Sequence, residues 1–545
     1  MTDRTTGRPA APGTPRLLVP MSGRGRRFRD AGYGVPKPLV PVAGVPMIER
    51  VLDAFPADWP ATFVLSQADK DSGLPGLLAR LRPGARVRFV PPHDEGPGPA
   101  VAEGLRSIPD DAPVFVSYCD YGVGWDPAAF VRFVADTRCD ACVLSYRGFH
   151  AHYLRGDMYA YSRMDRGRVV EVREKGCFTD DREREFASTG GYFFRTAALL
   201  REALAHQVAL DLRHGGELFT SLTVEALLRL RPDADVRVFE VASFSQWGTP
   251  RDLLDWEFWD RTWRAAAALA GRARGAGPRV AQVLMPMAGR GGRFAAVTTD
   301  PKPLIPIAGR PMFGCALDAL PEAERLVLVA LPDAADRARA VPGLPADTRV
   351  VTLPAPLDGP ALSVRAALSE LDPDREVVVA ACDHAALLDG AAWDAFRADE
   401  GCDAAVFTIS GLPAATRAPR AWAYVVPEPG DGPFPRISSV SVKVPVSPDP
   451  RRDAVLTGSF WFRRAGLLAA GIDELIRRDA RVGGELYVDS VVSCLPALGA
   501  VARMVPLDGH VGWGDPEALA EALYWQESFG GSRIEPRRRL PGVGS

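Results

Sequence analysis

Apolar runs and helical patterns alternate along the first half of the chain. Short apolar runs such as RLLVPM, TFVLS, RVRFV, VFVSYC and ACVLSYR have the length of buried strands. Between them, MIERVLDAF places Met47, Ile48, Val51, Leu52 and Phe55 at the spacing of one helix face. This alternation predicts a mainly parallel mixed sheet flanked by helices on both faces. Ligands of such sheets bind at the carboxyl ends of the strands.

The second half of the chain repeats the phrases of the first half in the same order. PKPLVPVAGVPM begins at Pro36 and PKPLIPIAGRPM begins at Pro301. RLLVPMSGRGRRF pairs with AQVLMPMAGRGGRF, VFVSYCDYG with VVVAACDHA, GGELFTSL with GGELYVDS, and FSQWGTPRDL with HVGWGDPEAL. Each copy spans roughly 250 residues, which is too long for a solenoid repeat. The sequence therefore predicts a duplicated domain.

The segment RAAAALAGRARGAGP separates the two copies. Its helix-forming start and its Gly- and Pro-rich end predict a last helix followed by a linker, with the boundary near Gly275. The predicted organisation is a disordered tail over 1–14, a first domain over 15–275, a second domain over 279–533 and a flexible tail over 534–545. The 545 residues agree with two large domains, since single domains run from about 100 to 250 residues.

Composition and charge narrow the class of protein. Hydrophobic residues make up 47% and charged residues 24% of the chain, and the net charge of -3 gives no basic footprint for nucleic acid. No apolar run reaches the roughly 18–20 residues that span a bilayer, and the polar N-terminus lacks the apolar core of a signal peptide. We expect a cytoplasmic protein without nucleic-acid or membrane partners. The oligomeric state stays open.

Cys139 and Cys142 form a CxxC motif, which is typical of redox or zinc chemistry. The matching phrase in the second copy is DEGCDAAVFTIS, where Ala405 replaces the second cysteine. No other cysteine pair or histidine cluster in the sequence completes a zinc site. We therefore predict free, buried thiols.

A Gly-rich loop directly follows the first strand of each copy. Gly23, Gly25 and Arg27 recur as Gly289, Gly291 and Arg293. Glycines let a backbone approach a phosphate closely, successive N–H groups form an anion nest, and arginine adds a fork of donors. A plain tight turn is the alternative. The loop is neither a dinucleotide fingerprint, because Phe28 replaces the third glycine, nor a Walker loop.

Lysine is scarce, with five lysines among 65 basic residues. Lys37 matches Lys302 in PKPL, Lys175 matches Lys443 near the ends of VVEVREK and SSVSVK, and Lys70 has no match. A lysine kept in an arginine-rich chain indicates a need for a compact ammonium, with solvated surface charge as the alternative. Prolines on both sides of Lys37 predict a stiff, extended segment that aims its ammonium.

Asp120 and Asp383 end the matched strands VFVSYC and VVVAAC. Such a residue can serve as a strand-end cap. A carboxylate at the end of a buried strand is nevertheless unfavourable unless it is used or paired. We therefore predict that both carboxylates are used in a site or paired.

The stretch MSGRGRRFRDAGYGVPKPLVPVAGVPMIERVL, with its second copy, resembles the signature of the sugar-phosphate nucleotidyltransferases. These enzymes join a sugar 1-phosphate to an NTP and release pyrophosphate. The resemblance covers most of the chain. It implies two tandem Rossmann-like nucleotidyltransferase domains, with an NTP and a small phosphorylated acceptor as partners. It also implies Mg²⁺ as the cofactor, held by a carboxylate while the acceptor attacks the α-phosphate in line.

The resemblance also implies roles for individual residues. Catalysis is assigned to Arg27, Lys37, Asp120 and Lys175, and nucleotide binding to Gly23, Gly25, Gly96, Gly98, Gly289, Gly291, Arg293 and Lys302. Acceptor binding is assigned to Glu174, Thr189, Gly190 and Glu217, and metal binding to Asp120 and Asp383. His150 and His152 would face the same way on an extended segment and touch the acceptor, or pack as ordinary polar residues.

One departure from the family concerns the metal. Many relatives carry an Asp just before the late Gly-Thr, where this chain has Trp247 and, in the second copy, Trp513. The second ligand is therefore missing or comes from elsewhere, such as Asp252.

The first copy is the predicted catalyst. The second copy lacks the two histidines and has Val442 in place of Glu174. It would bind nucleotide with a different acceptor or serve as a binding or regulatory copy. Two other functions stay open for the protein: a non-catalytic nucleotide-sugar sensor or scaffold, and a glycosyltransferase. The sequence determines neither the base nor the acceptor.

Overall fold

The computed structural model describes residues 13–156, 159–270, 277–430 and 432–529. Backbone contacts divide the chain into two compact units, Met1–Glu257 and Phe258–Ser545, here named unit 1 and unit 2. The predicted boundary near Gly275, the predicted tail 534–545 and residues 1–12 of the predicted N-terminal tail lie outside the described residues.

Unit 1 contains strands of two to nine residues. They are β1 (Arg16–Met21), β2 (Pro41–Val42), β3 (Val45–Pro46), β4 (Ala61–Ser66), β5 (Arg86–Val90), β6 (Val114–Ser117), β7 (Tyr121–Gly124), β8 (Ala141–Tyr146), β9 (Ala160–Asp165), β10 (Arg168–Glu174), β11 (Phe186–Phe194), β12 (Val236–Glu240) and β13 (Ser243–Gln246). The runs expected to form strands in the first copy are confirmed.

The helices of unit 1 lie between these strands. They are α1 (Arg26–Asp30), α2 (Met47–Asp53), α3 (Leu74–Leu81), α4 (Gly98–Leu105), α5 (Pro127–Thr137), α6 (Ala197–Ala209), α7 (Thr220–Leu230) and α8 (Pro250–Ala270), the last of which crosses the division between the units. Capping by a side chain fixes the N-terminus of α5. Asp126 accepts hydrogen bonds from Ala128 N and Ala129 N at the start of α5, where Pro127 takes the first helical position.

The main sheet of unit 1 has nine strands and mixes parallel with antiparallel pairs. Its central path is β10-β9-β11-β6-β1-β4-β5, and β8 joins β11 to β12. Strand β1 runs parallel to both β4 and β6, so that Leu18 lies opposite Thr62 and Val116. Fully buried side chains such as Val64 and Phe194 fill the core beside the helices. Because β1 and β6 are parallel neighbours, the loops that follow them meet at one sheet edge.

Unit 2 has the same number of strands in the same order. They are β14 (Arg279–Pro286), β15 (Pro306–Ile307), β16 (Arg310–Pro311), β17 (Glu322–Ala330), β18 (Asp347–Thr352), β19 (Val377–Ala380), β20 (His384–Leu387), β21 (Ala404–Ile409), β22 (Ala423–Pro427), β23 (Ile437–Val442), β24 (Ala454–Phe462), β25 (Ala502–Pro506) and β26 (Gly509–Gly512).

The further helices of unit 2 are α9 (Met312–Asp318), α10 (Pro332–Arg339), α11 (Pro360–Ala366), α12 (Gly390–Ala398), α13 (Pro413–Arg417), α14 (Ala465–Arg477), α15 (Val488–Val491) and α16 (Pro516–Ser528). The main sheet follows the path β18-β17-β14-β19-β24-β21-β25, and β22 joins β24 to β23. This path matches β5-β4-β1-β6-β11-β8-β12 of unit 1 strand for strand. The predicted fold, two tandem Rossmann-like domains with mixed sheets flanked by helices, is confirmed.

Backbone details extend the match beyond the strands. Lys175 and Lys443 both have positive φ angles, 55° and 62°, although neither is a glycine. Each backbone N–H donates to a carbonyl at the start of a neighbouring strand segment, Tyr159 O at 3.0 Å and Trp422 O at 2.9 Å respectively. The duplication therefore reproduces an uncommon backbone conformation at the two matched lysines.

Two expectations about composition can be compared with the structure. Cys139 and Cys142 are buried free thiols, as predicted. Among the described residues, no helix combines the length and the apolar character that a membrane crossing requires.

Candidate active site

A cavity of about 480 Å³ opens at the carboxyl ends of β1 and β6 in unit 1. It is lined by the Gly-rich loop 23–27, by Lys37, by Asp120 and by Glu217. The parallel pairing of β1 with β6 places the Gly-rich loop beside Asp120. The volume lies within the range of about 300–1,000 Å³ typical of small-molecule sites.

An ion pair between Lys37 and Asp120 lies in this cavity. Lys37 Nζ donates to Asp120 Oδ2 at 2.5 Å and to Gly248 O at 3.1 Å. Both side chains are largely buried, at 16% and 24% exposure, so the charges are weakly screened. The prediction of an extended segment around Lys37 was wrong, because Lys37–Leu39 forms a 3₁₀ turn directly after Pro36. The turn still fixes the direction of the lysine stem.

Side chains from two loops hold the Gly-rich loop of unit 1. Ser22 Oγ lies 2.9 Å from His93 Nε2, and the residue that follows Ser22 forms a parallel bridge with His93. Asp94 lies 3.5 Å from both Arg24 Nε and Arg26 Nη2. We name Ser22, Arg24, Arg26, His93 and Asp94 the loop clasp. The clasp joins the loop after β1 to the loop after β5.

A second cavity, of about 720 Å³, lies beside the same Gly-rich loop. It shares Gly23, Arg24, Gly25 and Lys37 with the first cavity, so the loop borders both spaces. The backbone of Gly25 has a φ of 58°, and a Cβ there would lie 3.3 Å from Lys37 Cβ. A glycine is therefore needed where the loop meets the lysine.

The predicted base-bordering glycines pack against the GGEL turn. A Cβ on Gly96, whose φ is 72°, would lie 2.8 Å from Glu217 Cβ. The N–H of Gly98 donates to Leu218 O at 3.0 Å, and a Cβ on Gly98 would lie 2.6 Å from Leu218 Cβ. Gly96 and Glu217 line the cavity, whereas Gly98 lies behind them.

Glu174 ends strand β10 and Lys175 follows it. Ser221 Oγ donates to Glu174 Oε2 at 2.5 Å, and burial raises the pKa of Glu174. The neighbouring charge of Glu217, which lines the cavity, acts in the same direction, but Glu174 and Lys175 are not among the residues that line it. Lys175 Nζ lies 4.7 Å above the Phe219 ring, a favourable cation–π distance. A non-glycine φ of 55° is strained, and such strain clusters at functional sites.

His150 and His152 lie in a buried aromatic cluster and do not line the described cavity. The segment was expected to be extended, but Ala151–Arg155 forms a 3₁₀ turn. His150 Nδ1–H donates to Gly148 O at 3.2 Å, and His152 Nε2 lies 3.0 Å from Tyr146 Oη. Burial lowers the pKa of His150 to about 4 and holds the pKa of His152 well below its ordinary value. Both rings are therefore neutral at neutral pH.

Thr189 and Gly190 lie in a bulged part of β11. The Thr189 hydroxyl is buried and donates to Leu144 O at 3.3 Å. Gly190 has a φ of 95°, and a Cβ there would lie 2.9 Å from the Tyr118 ring. Gly190 thus allows Tyr118 to line the cavity. Acceptor contacts by Thr189, Gly190, His150 and His152 stay predictions.

Asp252 is not among the residues that line the cavity, but it lies beside Gly248, which is: a Cβ on Gly248 would lie 3.3 Å from Asp120 Oδ2 and 4.0 Å from Asp252 Oδ2. Its Oδ1 accepts from Arg155 Nη1 at 2.7 Å and from Gln246 Nε2 at 2.9 Å. Its Oδ2 accepts from Thr249 Oγ1 at 2.7 Å. Arg155 also pairs with Asp255, so this network fixes the start of α8. Trp247 is buried against Trp256, with ring centroids 5.7 Å apart.

The described residues contain no group of three or more His, Cys, Asp and Glu side chains arranged for a metal ion. A single carboxylate such as that of Asp120 nevertheless fits Mg²⁺. This ion commonly takes one or two protein carboxylates and fills its other positions with phosphate oxygens and water. Asp120 supplies such a carboxylate inside a cavity that the Gly-rich loop also lines.

Unit 2 reproduces the central ion pair but changes its surroundings. Lys302 Nζ donates to Asp383 Oδ2 at 2.5 Å. Burial acts to raise the pKa of Asp383, but a hydrogen bond with His384 and the charge of Lys302 outweigh it and hold this pKa well below its ordinary range. Arg293 Nη1 lies 3.2 Å from Asp515 Oδ2. In unit 1, Thr249 occupies the position that matches Asp515.

The loop clasp and the Arg155 network were not anticipated from the sequence. The clasp had a readable signal, because its residues differ between copies that otherwise match. Ser22 corresponds to Ala288 and Arg26 to Gly292. The residues 353–357 that follow β18 read LPAPL, with neither a His nor an Asp.

A family model of the MobA-like NTP transferase domain matches the chain twice, over residues 17–179 and 283–441. The chain therefore belongs to the MobA-like NTP transferase family, and it carries two copies of its domain. No curated protein sequence matches the chain.

Several solved structures are similar to parts of the chain. A nucleoside-diphosphate-sugar pyrophosphorylase from Vibrio cholerae RC9 is 18% identical, with a TM-score of 0.37 over 44% of this chain and 99% of that chain. An inositol-1-phosphate CTP transferase from T. maritima is 16% identical, with a TM-score of 0.36 over 46% of this chain and 96% of that one. A UDP-glucose pyrophosphorylase from Acinetobacter baumanii is 14% identical, with a TM-score of 0.35 over 45% and 92%.

Proposed function

We propose that unit 1 transfers a nucleotidyl group from an NTP to a sugar phosphate or a similar small phosphorylated acceptor and releases pyrophosphate. The observation that carries this proposal is the Lys37–Asp120 pair beneath the Gly-rich loop, in a cavity of about 480 Å³. Membership of the NTP transferase family supports the class of reaction.

The chemistry requires positioning and charge compensation more than a covalent nucleophile. In this proposal Gly23, Gly25 and Arg27 bind the triphosphate, and Lys37 offsets charge on the reacting phosphates. Lys175 and Glu174 hold the acceptor through its phosphate and its hydroxyl groups. An acceptor phosphate oxygen then attacks the α-phosphate, and the bond to the leaving pyrophosphate breaks.

A divalent cation completes the proposed site. Asp120 is the residue that would hold Mg²⁺, which when bound offsets the negative charge of the α- and β-phosphates. Lys37 would act beside the cation, because its ammonium donates a hydrogen bond to the carboxylate of Asp120. The hydrogen bonds to Asp120 and to Gly248 O direct the ammonium into the cavity.

Pyrophosphate release tests this proposal. The full chain is incubated with Mg²⁺ and five NTPs, each crossed with a panel of sugar 1-phosphates and other phosphorylated acceptors. We expect release from at least one pair, and its loss in Asp120→Asn but not in the matched variant Asp383→Asn. Release that depends on Asp383 instead would move the catalyst to unit 2. Nucleotide binding without release from any pair would replace the enzyme by a nucleotide-sugar sensor.

A further inference from the structure

A chain of hydrogen bonds connects the backbone at Lys175 with the ammonium of Lys37 in unit 1. Its first half begins at Lys175, whose backbone N–H donates to Tyr159 O at 3.0 Å. The Tyr159 hydroxyl donates to Gln246 Oε1 at 2.6 Å, and Gln246 Nε2 donates to Asp252 Oδ1 at 2.9 Å. The Asp252 carboxylate is therefore tied to the segment that precedes β9.

The second half of the chain leads from Asp252 to the Lys37 ammonium. Asp252 Oδ2 accepts from Thr249 Oγ1 at 2.7 Å, and the Thr249 hydroxyl accepts from Asp252 N at 3.1 Å. This reciprocal pair caps the start of α8, directly after Gly248. Gly248 O accepts from Lys37 Nζ at 3.1 Å, and a Cβ on Gly248 would lie 3.3 Å from Asp120 Oδ2. The position of this turn therefore affects where the ammonium lies against Asp120.

The Asp252 carboxylate is the branching point of the chain. The residue is only 4% exposed, and Arg155 Nη1 donates to its Oδ1 at 2.7 Å. Both carboxylate oxygens thus accept hydrogen bonds, one of them from a charged donor. Loss of one partner leaves a buried polar group unsatisfied, so the members of such a network hold one another in place. Replacement of Asp252 should therefore release the turn at Gly248.

Unit 2 lacks the side chains of this connection, although it keeps both matched lysines. Its residues at three matching positions have no hydroxyl, amide or carboxylate in the side chain: Trp422 for Tyr159, Gly512 for Gln246 and Ala518 for Asp252. Within the described residues, Lys302 Nζ donates to Asp383 but not to Gly514 O, the counterpart of Gly248 O. The connection thus belongs to the unit to which we assign catalysis.

A neighbouring ion pair is common to both units and provides an internal comparison. Arg155 also pairs with Asp255 in unit 1, and Arg417 pairs with Glu521 in unit 2. Asp255 and Glu521 occupy matching positions in the last helices of the two copies. A contact that both units keep indicates a requirement of the fold, whereas the bonds of Asp252 occur in unit 1.

We propose that Asp252 is a positioning residue for the reaction of unit 1. By holding the turn at Gly248 it fixes the Lys37 ammonium against the carboxylate of the site, and it ties this turn to the segment that precedes β9. This role rests on the proposed function, because it describes how the site for that reaction is assembled. Since Asp252 does not line the cavity, it acts through its neighbours and contacts neither reactant.

Steady-state kinetics of Asp252→Asn test this role. The substitution keeps the size of the side chain and removes the charge that faces Arg155. We expect kcat for pyrophosphate release to fall about 10–30-fold and the KM for NTP to change less than about twofold, because a displaced ammonium affects the chemical step. The matched control Asp255→Asn also removes a partner of Arg155. It should lower the unfolding temperature and leave kcat within about twofold. An unchanged kcat in Asp252→Asn, or an equal fall in Asp255→Asn, would overturn the proposal.

Two further variants show whether Asp252 acts through the lysine. In the Lys37→Met background, Asp252→Asn should lower kcat by less than about another twofold, because the group that it positions is already lost. Full multiplication of the two losses would overturn this route. Thr249→Val keeps the volume of the side chain and removes the hydroxyl that joins Asp252 to the turn. It should lower kcat about 5–10-fold, and it tests the same route if Asp252→Asn does not fold.

NMR of the lysine side chains tests the route without turnover. The chain has five lysines, so carbon-13 at lysine Cε gives few signals, and Lys37→Met and Lys302→Met assign two of them. Asp252→Asn should shift the Lys37 signal and leave the Lys302 signal in place. An unmoved Lys37 signal would overturn the inference. If this shift occurs but the wild type releases no pyrophosphate from any pair, the proposed function alone fails. Release by unit 1 with a normal kcat in Asp252→Asn would overturn the inference alone.

Discussion

The two Gly-rich loops are almost identical in sequence, but only the loop of unit 1 is held by the clasp. In unit 1, Ser22 meets His93 while Asp94 lies between Arg24 and Arg26. In unit 2, Ala288 and Gly292 replace Ser22 and Arg26, and the segment 353–357 has neither a His nor an Asp. Arg293 pairs there with Asp515. The glycine spacing creates a turn that can bind an anion, and side chains from the next loop determine how that turn is held and charged.

The two Gly-rich loops also differ in charge. Arg24, Arg26 and Arg27 belong to the loop of unit 1, whereas Arg290 and Arg293 are their counterparts in unit 2. The loop of unit 2 therefore has fewer arginines than that of unit 1, and one of them is paired with the carboxylate of Asp515. The central lysine–aspartate pair is equal in both units, so it cannot by itself distinguish a catalyst from a binding copy.

The largest effect is expected at that central pair. Lys37→Met should lower kcat for pyrophosphate release by about 10²–10³-fold, since it removes a positioned charge from the reacting phosphates. Lys302→Met removes the matched charge from unit 2 and should leave the unit 1 reaction unchanged. Initial rates at saturating substrates measure both. An equal loss from Lys302→Met would contradict the assignment of catalysis to unit 1.

A strained lysine provides the next comparison. Lys175→Gly should lower kcat/KM by about 10–100-fold, because a charged contact to the acceptor is lost. The same change relieves left-handed strain of about 1–2 kcal/mol in the folded state. Against this, the greater flexibility of glycine in the unfolded chain costs about 0.5–1 kcal/mol of stability. The free energy of unfolding in urea should therefore stay equal or rise by up to about 1.5 kcal/mol.

Lys70→Gly is the matched control for that experiment. Lys70 has a right-handed backbone with φ of -56°, so glycine relieves no strain there. We expect slightly lower stability and unchanged activity. A clear loss of stability in Lys175→Gly would show that the strained backbone is maintained by the lysine side chain and not by its surroundings.

Removal of the clasp should have a moderate effect. His93→Ala with Asp94→Ala should raise the KM for NTP about 5–10-fold, because the loop loses its attachment and must be ordered by the nucleotide. The kcat should change little, since Lys37 and Asp120 are untouched. Steady-state kinetics separate the two constants. A fall in kcat with constant KM would instead indicate a role in the chemical step.

The last comparison concerns the pH dependence of stability. His150 and His152 have folded pKa values below their unfolded value of about 6.5, so their contribution is complete above that pH and declines as the pH falls toward 4. The decline should approach about 1.4 kcal/mol per pH unit for each histidine. Urea unfolding between pH 7.5 and 5 measures it. His150→Gln with His152→Gln should flatten the profile, and an unchanged slope would contradict this assignment.

The sequence predicted the features that rest on local pattern and repetition. Strands such as Arg16–Met21, the helix Met47–Asp53 and the matched lysines could be read from periodicity and from the second copy. The position of Asp120 beside the Gly-rich loop followed from parallel strands that end at one sheet edge.

The rest depended on side-chain contacts between distant segments. Ser22 and His93 are 71 residues apart, and Arg155 and Asp252 are 97 residues apart, so no local pattern links them. The hydrogen bond from Ser221 to Glu174, which are 47 residues apart, was hidden for the same reason.

The left-handed turn at Lys175 has a consequence for the thermodynamics of recognition. The backbone is pinned by its hydrogen bond to Tyr159 O, and the ammonium rests over the Phe219 ring before any ligand arrives. Much of the conformational entropy of this lysine is therefore lost during folding and not during binding. In the proposed reaction, preorganisation of this kind leaves desolvation of the ammonium and of the acceptor phosphate as the main terms that oppose binding.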